Sequence, residues 1–314
     1  MNIKIFSGTA NKPLAQKICN NLQIPLGEIY HHSFPSGENY CQIKSNIRGS
    51  DVFLVQSTNY PANDNLMQLL VMIDACKRAS ANRITVVIPS VICYSRQDRK
   101  DKSRTPISAK LVANMLTCAG ANRILGLDFH SQQFGGFFDI PVDQLYSMPV
   151  FVEYLRKLNM ENIIVVSPDE GAVKRSSAFA SILKCGFAFH SKKRTGDTEV
   201  SSMGLVGNVS GKNVIIHDDM VESAGTLIEV AKVCKENGAK SVTGLITHNC
   251  ITKLGCERIN NDNFLNKLIV TDSVLSSETS DKMEIISVAK LFSECILRTH
   301  NNESISELFE IKGF

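Results

Sequence analysis

Short apolar runs alternate along the chain with stretches whose apolar residues recur every three or four positions, the pattern of strands alternating with amphipathic helices. Strands are expected at Ile84 to Ile88, Ile124 to Phe129, Ile163 to Val166, Val214 to Ile216 and Val242 to Ile246. A helix is expected after Thr105, its candidate cap, with Pro106 in the first turn, Ile107, Leu111, Met115 and Leu116 as its apolar side, and Gly120 as its stop. An internal echo fixes the phase: Ala81-Asn82-Arg83-Ile84 recurs as Ala121-Asn122-Arg123-Ile124, and Gly238-Ala239-Lys240-Ser241-Val242 is a looser copy. In each copy a helix ends and a strand begins, which predicts βα units and largely parallel sheets.

The 314 residues suffice for two domains. Pro141 and Pro149 bracket a short polar segment, and the division is expected there, giving domains of residues 1–147 and 148–314. A net charge of +3 is too mild to advertise a nucleic-acid or membrane surface, so any basic site is local. With 43% hydrophobic and 21% charged residues, the composition is that of a globular protein. The ten cysteines include no CxxC pair and several lie in apolar runs, which reads as buried, reduced thiols in a cytoplasmic protein. The aliphatic stretch Leu69 to Ile73 falls far short of the roughly 18 residues of a membrane span.

The segment with most chemistry runs from Asn213 to Thr226: a strand, the acidic pair Asp218 and Asp219, the small-residue loop Glu222-Ser223-Ala224-Gly225-Thr226, then a helix with Leu227, Val230, Ala231 and Cys234 on one side. Unpaired amides and hydroxyls at a helix start make a natural phosphate cradle. Ionised aspartates accept hydrogen bonds only, which suits a sugar diol. Residues 96–104 hold five basic and two acidic side chains, a density suited to a polyphosphate, although a solvated charged loop has the same composition. Strand alternation would put Asp128 and His130 on one face at a carboxyl strand end, where ligands collect in open α/β sheets. Phe187 to Arg194 reads as a strand running into a basic flap, with Lys192 and Arg194 on one side if the chain stays extended.

Taken together, these segments resemble the ribose-phosphate pyrophosphokinase (PRPP synthetase) family over almost the whole length. The most specific stretch is Ser95-Arg96-Gln97-Asp98-Arg99-Lys100-Asp101-Lys102-Ser103-Arg104-Thr105-Pro106 with Ile107 to Leu111, supported by Lys4 to Gly8, Asn63 to Met67 and Arg298 to Asn301. The resemblance implies two phosphoribosyltransferase-like α/β domains, each a mainly parallel sheet flanked by helices, the first binding ATP and the second ribose 5-phosphate. It implies transfer of the β,γ-diphosphoryl group of ATP to the anomeric hydroxyl of ribose 5-phosphate, giving phosphoribosyl pyrophosphate and AMP. By the same resemblance Lys192 and Arg194 are catalytic, and Arg96 and Gln97 contact ATP. The loop His31 to Glu38 supplies Phe34, Ser36 and Glu38 to an adenine pocket, usually a neighbouring subunit's. Asp218, Asp219 and residues 222–226 hold ribose 5-phosphate, while His130, Asp169 and Asp128 surround Mg2+. A homo-oligomer, a hexamer in the family, is implied.

The sequence departs from the family pattern at Ser36, where Asp or Asn is expected, at Cys93 for Pro, and at Glu222 and Ser223 for Asp and Thr. None of these deletes a catalytic charge. Two rival readings are a non-catalytic associated subunit and a phosphoribosyltransferase. Lys192, Arg194, His130 and Asp169 argue against the first, and the 95–105 loop would have no purpose in the second.

Overall fold

The computed structural model describes residues 2–90, 92–100, 102–194 and 200–308, excepting the side chains of 132, 192–194 and 200–203. The described residues form two compact units, one within 2–146 with 273–275 and 287–308, the other within 147–272 with 276–286.

Unit 1 is built on strands β1 (Ile3–Ser7), β4 (Asp51–Val55), β5 (Arg83–Ile88), β6 (Arg123–Leu127) and β7 (Val142–Leu145), all parallel and hydrogen-bonded in the order β1-β4-β5-β6-β7. Helices α1 (Lys12–Leu22), α2 (Ala62–Arg78) and α3 (Ser108–Ala119) connect them, and an antiparallel hairpin of β2 (Ile29–Ser33) and β3 (Asn39–Ile43) stands apart from the sheet. Every residue of β4 is buried, as expected of a central parallel strand covered on both faces.

Unit 2 contains α4 (Met148–Leu158), β8 (Ile163–Ser167), α5 (Val173–Leu183), β9 (Gly186–Arg194), β10 (Val200–Val206), β11 (Asn213–Val221), α6 (Gly225–Glu236), β12 (Ser241–Asn249), α7 (Lys253–Asn261), β13 (Lys267–Thr271) and β14 (Met283–Ile286). Its sheet runs β10-β9-β8-β11-β12-β13-β14, with only β10 antiparallel. The five parallel strands β8, β11, β12, β13 and β14 repeat the order of unit 1, and in both units an antiparallel strand pair follows the helix after the first strand. The α/β class and the parallel sheets are as the sequence predicts.

The sequence echo has a structural meaning. Arg83 and Arg123 each open a strand and bond a carboxylate on the neighbouring strand, Asp51 and Asp143 respectively. Asn122 Oδ1 accepts from the Ile84 amide at 2.7 Å, and Asn266 Oδ1 accepts from the Val242 amide at 2.8 Å, so each strand entrance is tied to the next.

Three expectations are corrected. Helix α3 begins at Ser108, not after Thr105, whose hydroxyl instead donates to the Lys102 carbonyl at 2.8 Å and closes a turn. Strand β11 runs on to Val221, so Asp218 and Asp219 are strand residues. The final helix, α8 (Ala289–Asn301), belongs to unit 1, so the expected second domain of 148–314 loses its C-terminal helix. The reason lies in its contacts: Arg83 Nη2 donates to Thr299 O at 2.9 Å, Nη1 to Asn302 Oδ1 at 3.2 Å, and His300 Nδ1 lies 2.8 Å from the fully buried Asp51.

Candidate functional site

In unit 2 the candidate site grows from the carboxyl end of β11. The Asp219 amide donates to Asp218 Oδ1 at 2.9 Å, turning the first carboxylate back over the backbone of the second. Asp219 is buried and Asp218 is a quarter exposed. Burial first, and then the charge of Asp219, push the Asp218 carboxyl up to about 8, while Arg175 pulls in the opposite direction. Arg175, on the first turn of α5, places Nη2 3.1 Å from Asp218 Oδ1 and 3.5 Å from Asp219 Oδ1. Arg175 was not among the residues singled out from the sequence; the available signal was its place one helical turn beyond the Asp169 loop.

The loop after the acidic pair is clamped from α7. Thr252, the cap of α7, donates to the Glu222 carbonyl from its amide at 3.0 Å and from its hydroxyl at 3.3 Å. Arg258, two turns along, donates from Nη1 to the Ser223 carbonyl at 3.0 Å. Ala224 then takes a left-handed φ of 57° and Gly225 opens α6, which no side chain caps. A β-branched or bulky residue would resist that turn, which accounts for alanine there. The uncapped amides of Gly225 and Thr226 stand at the positive end of the helix and suit a phosphate. Glu222, Ser223 and Thr226 are exposed.

Asp169 follows β8. Its Oδ1 accepts from the Ala172 amide at 2.9 Å, and Ser167 Oγ donates to its carbonyl at 2.8 Å, so the loop is rigidly tied while the side chain stays exposed. In unit 1, β6 stops at Leu127 and Asp128 has φ 40°, so strand alternation does not extend to His130: Asp128 is buried and His130 exposed. Among the described residues no three His, Cys, Asp or Glu side chains form a ready cation cage. Mg2+ fits such an arrangement, because it retains several waters and takes one or two carboxylates plus substrate phosphates rather than a full protein shell. Asp169 keeps one carboxylate oxygen beyond its capping bond.

The residues of unit 1 that the resemblance assigns to ATP are tied to the start of α2. Tyr94 takes φ 65° and its hydroxyl donates to Asn63 Oδ1 at 2.5 Å, anchoring the segment that presents Arg96 and Gln97, both exposed. The Gln97 carbonyl accepts from the Ala109 amide at 3.2 Å, joining this segment to α3. Cys93, buried here, donates its amide to Thr58 Oγ1 at 3.0 Å. From the other side Asn39 Nδ2 reaches the Asp64 carbonyl at 3.5 Å, bringing the β2–β3 hairpin to the same helix start. At the hairpin tip Ser36 Oγ donates to Glu38 Oε2 at 3.2 Å, and Phe34 stands 44% exposed with its ring edge-on to His32 and Tyr40. Lys192 and Arg194 close β9, in register with Ser202 and Val200 of β10; their side chains lie outside the described residues.

Comparison with known proteins agrees in both halves. Residues 3–120 match the model for the N-terminal domain of ribose phosphate pyrophosphokinase, and residues 195–310 match that for the phosphoribosyl synthetase-associated domain. Relatives named ribose-phosphate pyrophosphokinase include one from Rhizobium meliloti (strain 1021), 45% identical over 98% of this chain and all of its own length, and one from Thermotoga maritima, 45% identical over 98% of each. The crystal structure of phosphoribosylpyrophosphate synthetase from Mycobacterium smegmatis superposes with a TM-score of 0.90 at 34% identity, covering 96% of this chain and 100% of that one. The chain belongs to the ribose-phosphate pyrophosphokinase family of transferases.

Proposed function

We propose that the family reaction runs in this chain on the residues described above: the anomeric hydroxyl of ribose 5-phosphate attacks the β phosphorus of ATP in line, AMP leaves, and phosphoribosyl pyrophosphate forms. The observation that carries this reading is the β11–α6 junction, where two carboxylates and an uncapped helix start lie within one short segment. Asp218 and Asp219 accept from the ribose hydroxyls, and the amides and hydroxyls of Ser223 to Thr226 take the 5-phosphate. Phe34 stacks on the purine, Ser36 and Glu38 meet its polar edge, and Arg96 with Gln97 cover the nucleotide. Little covalent work falls to the protein, so Lys192 and Arg194 act by placing positive charge on oxygens that gain charge in the transition state. By the family resemblance Asp169 in unit 2 and, in unit 1, His130 and Asp128 are each candidate Mg2+ ligands; the bound ion supplies charge neutralisation on the polyphosphate.

A homo-oligomer belongs to this reading, a hexamer by family resemblance. The hairpin supports it, since Tyr30, Phe34 and Tyr40 expose 43–48% of their surface on one small element. A cytoplasmic setting is supported by ten free cysteines, of which Cys19, Cys76, Cys234 and Cys295 are fully buried. Among the described residues no helix is long and apolar enough to cross a membrane. The test is AMP formation from ATP that requires ribose 5-phosphate. ATP-independent consumption of phosphoribosyl pyrophosphate with a base would favour a phosphoribosyltransferase, and no turnover with the fold intact would favour an associated subunit.

A further inference from the structure

The two units make the same helix-on-strand contact with different chemistry. Helices α1 and α5 have 11 residues each, and the buried Ala15, Ile18 and Cys19 of α1 correspond to the buried Ser176, Phe179 and Ala180 of α5. At the preceding position in this alignment α1 buries Leu14, whereas α5 carries Arg175. The adjacent strands differ in step. β1 opens opposite Asp51 of β4 as β8 opens opposite Asn213 of β11, so Gln56 and Ser57 follow β4 where Asp218 and Asp219 stand on β11. Unit 1 satisfies its position with neutral amides: Gln56 Oε1 accepts from the Ala10 amide at 3.2 Å, and its Nε2 donates to Gln68 Oε1 at 2.8 Å. A cation on the helix therefore accompanies acids on the strand, and an apolar side chain accompanies neutral groups.

We propose that Arg175 is a positioning residue for ribose 5-phosphate, bridging Asp218 and Asp219 and aiming both carboxylates at the sugar hydroxyls. The proposal rests on the reading of that acidic pair as the ribose-binding pair. Two adjacent carboxylates partly removed from water repel one another, and one of them lowers that energy by taking up a proton. A protonated acid donates, and it then competes with the sugar hydroxyl it should accept from. Arginine cannot lose its charge, and its Nη2 alone lies within reach of an oxygen of each acid. The distances of 3.1 and 3.5 Å from one nitrogen show the bridge. Arg175 Nε is buried and has no acceptor among the described residues, so the side chain is held for its outer nitrogens alone. The charges acting on Asp218 are those of Asp219 beside it and Arg175 across from α5. His217, next along β11, turns its ring onto Phe179 at 4.7 Å, and His248 of β12 lies opposite Met220.

Arg175→Met and Arg175→Lys in the full-length protein test this. The Met variant should raise KM for ribose 5-phosphate about tenfold or more with KM for ATP within about twofold, and move the acidic limb of kcat/KM for ribose 5-phosphate to higher pH by about one unit. The Lys variant should return the acidic limb to its wild-type position while retaining a KM for ribose 5-phosphate severalfold above wild type. A fall in melting temperature with parallel losses in both KM values and an unmoved acidic limb would show a merely structural ion pair and overturn the proposal. Should the Met variant not fold, the Lys variant decides through direct binding of ribose 5-phosphate, where unchanged affinity overturns the bridge. Failure of the underlying reading shows separately: Asp218→Asn with Asp219→Asn would then leave KM for ribose 5-phosphate unchanged.

Discussion

Gly255 of α7 leaves the space that the backbone carbonyl of Glu222 occupies, and a β-carbon at 255 would overlap that oxygen. The obstacle is backbone, not a side chain that can swing aside, so Gly255→Ala must displace the start of the 222–226 loop, proposed above to bind ribose 5-phosphate. The expected outcome is a KM for ribose 5-phosphate raised about fivefold or more, with KM for ATP within about twofold. Steady-state kinetics with each substrate varied in turn measures this. Equal effects on both substrates would show that the strain spreads through the unit instead of staying at the loop.

Arg258 tethers the same loop through its bond to the Ser223 carbonyl, and its guanidinium also lies beside Gly225, 3.3 Å from where a β-carbon would stand. Because Arg258 is exposed, the tether is worth about 1 kcal/mol at most, and Arg258→Ala should cost roughly twofold to fivefold in KM for ribose 5-phosphate with little change in kcat. Arg258→Lys should recover only part, since a single ammonium does not reproduce the planar fork. A kcat loss with KM unchanged would place Arg258 in the chemical step and remove it from the loop.

How much of this was legible in the sequence depends on the range of each interaction. Strands announced themselves where Ile164 to Val166 and Val214 to Ile216 are buried on both faces and so read as unbroken apolar runs. The acidic pair and the small-residue loop were legible because they are contiguous. Arg175, Thr252 and Arg258 were not, because each acts on a segment 30 to 43 residues away, and only Arg175, one turn beyond the Asp169 loop, carries any local signal. The early end of β6 was missed because apolarity continues to Phe129, while the left-handed turn at Asp128 leaves no mark in composition. The return of α8 to unit 1 was likewise hidden, since it depends on His300 meeting Asp51, 249 residues away, beside Arg83.

The Asp51 cluster yields a stability prediction. Asp51 is fully buried and accepts from Arg83 Nε at 2.8 Å and from His300 Nδ1 at the same distance. Removing the arginine strands a buried carboxylate, whereas removing the carboxylate leaves an arginine that is 23% exposed and still bonded to Thr299. Arg83→Met should therefore destabilise more than Asp51→Asn, by about 3 kcal/mol or more against wild type. Thermal melting together with limited proteolysis checks this, with cleavage between 275 and 289 accelerating as α8 loses its anchor. Equal melting temperatures for both variants would show that the cluster is held by packing alone.

Asp218 should make the ligand-free protein lose stability as pH rises. Its carboxyl is pushed up to about 8 by burial and by Asp219, so the folded chain prefers the protonated form while the unfolded chain ionises near the usual 3.8. The stability contributed by this group is thus fully present below about pH 4, declines as the unfolded state ionises ahead of the folded one, and is gone once the pH has passed about 8. Asp218→Asn has no proton to exchange, so it escapes the decline. The difference in melting temperature, variant minus wild type, should grow steadily from pH 5 to pH 8 and level off above it. Any constant offset from the lost bond to Arg175 shifts the whole curve without changing its slope. Ribose 5-phosphate, by donating hydroxyls to the ionised pair, should flatten the wild-type curve when it binds, because it stabilises the form that burial disfavours. Melting curves at five or six pH values with and without the sugar phosphate measure both effects. A variant-minus-wild-type difference that stays level across that range would mean that Asp218 is already ionised in the folded protein at pH 5.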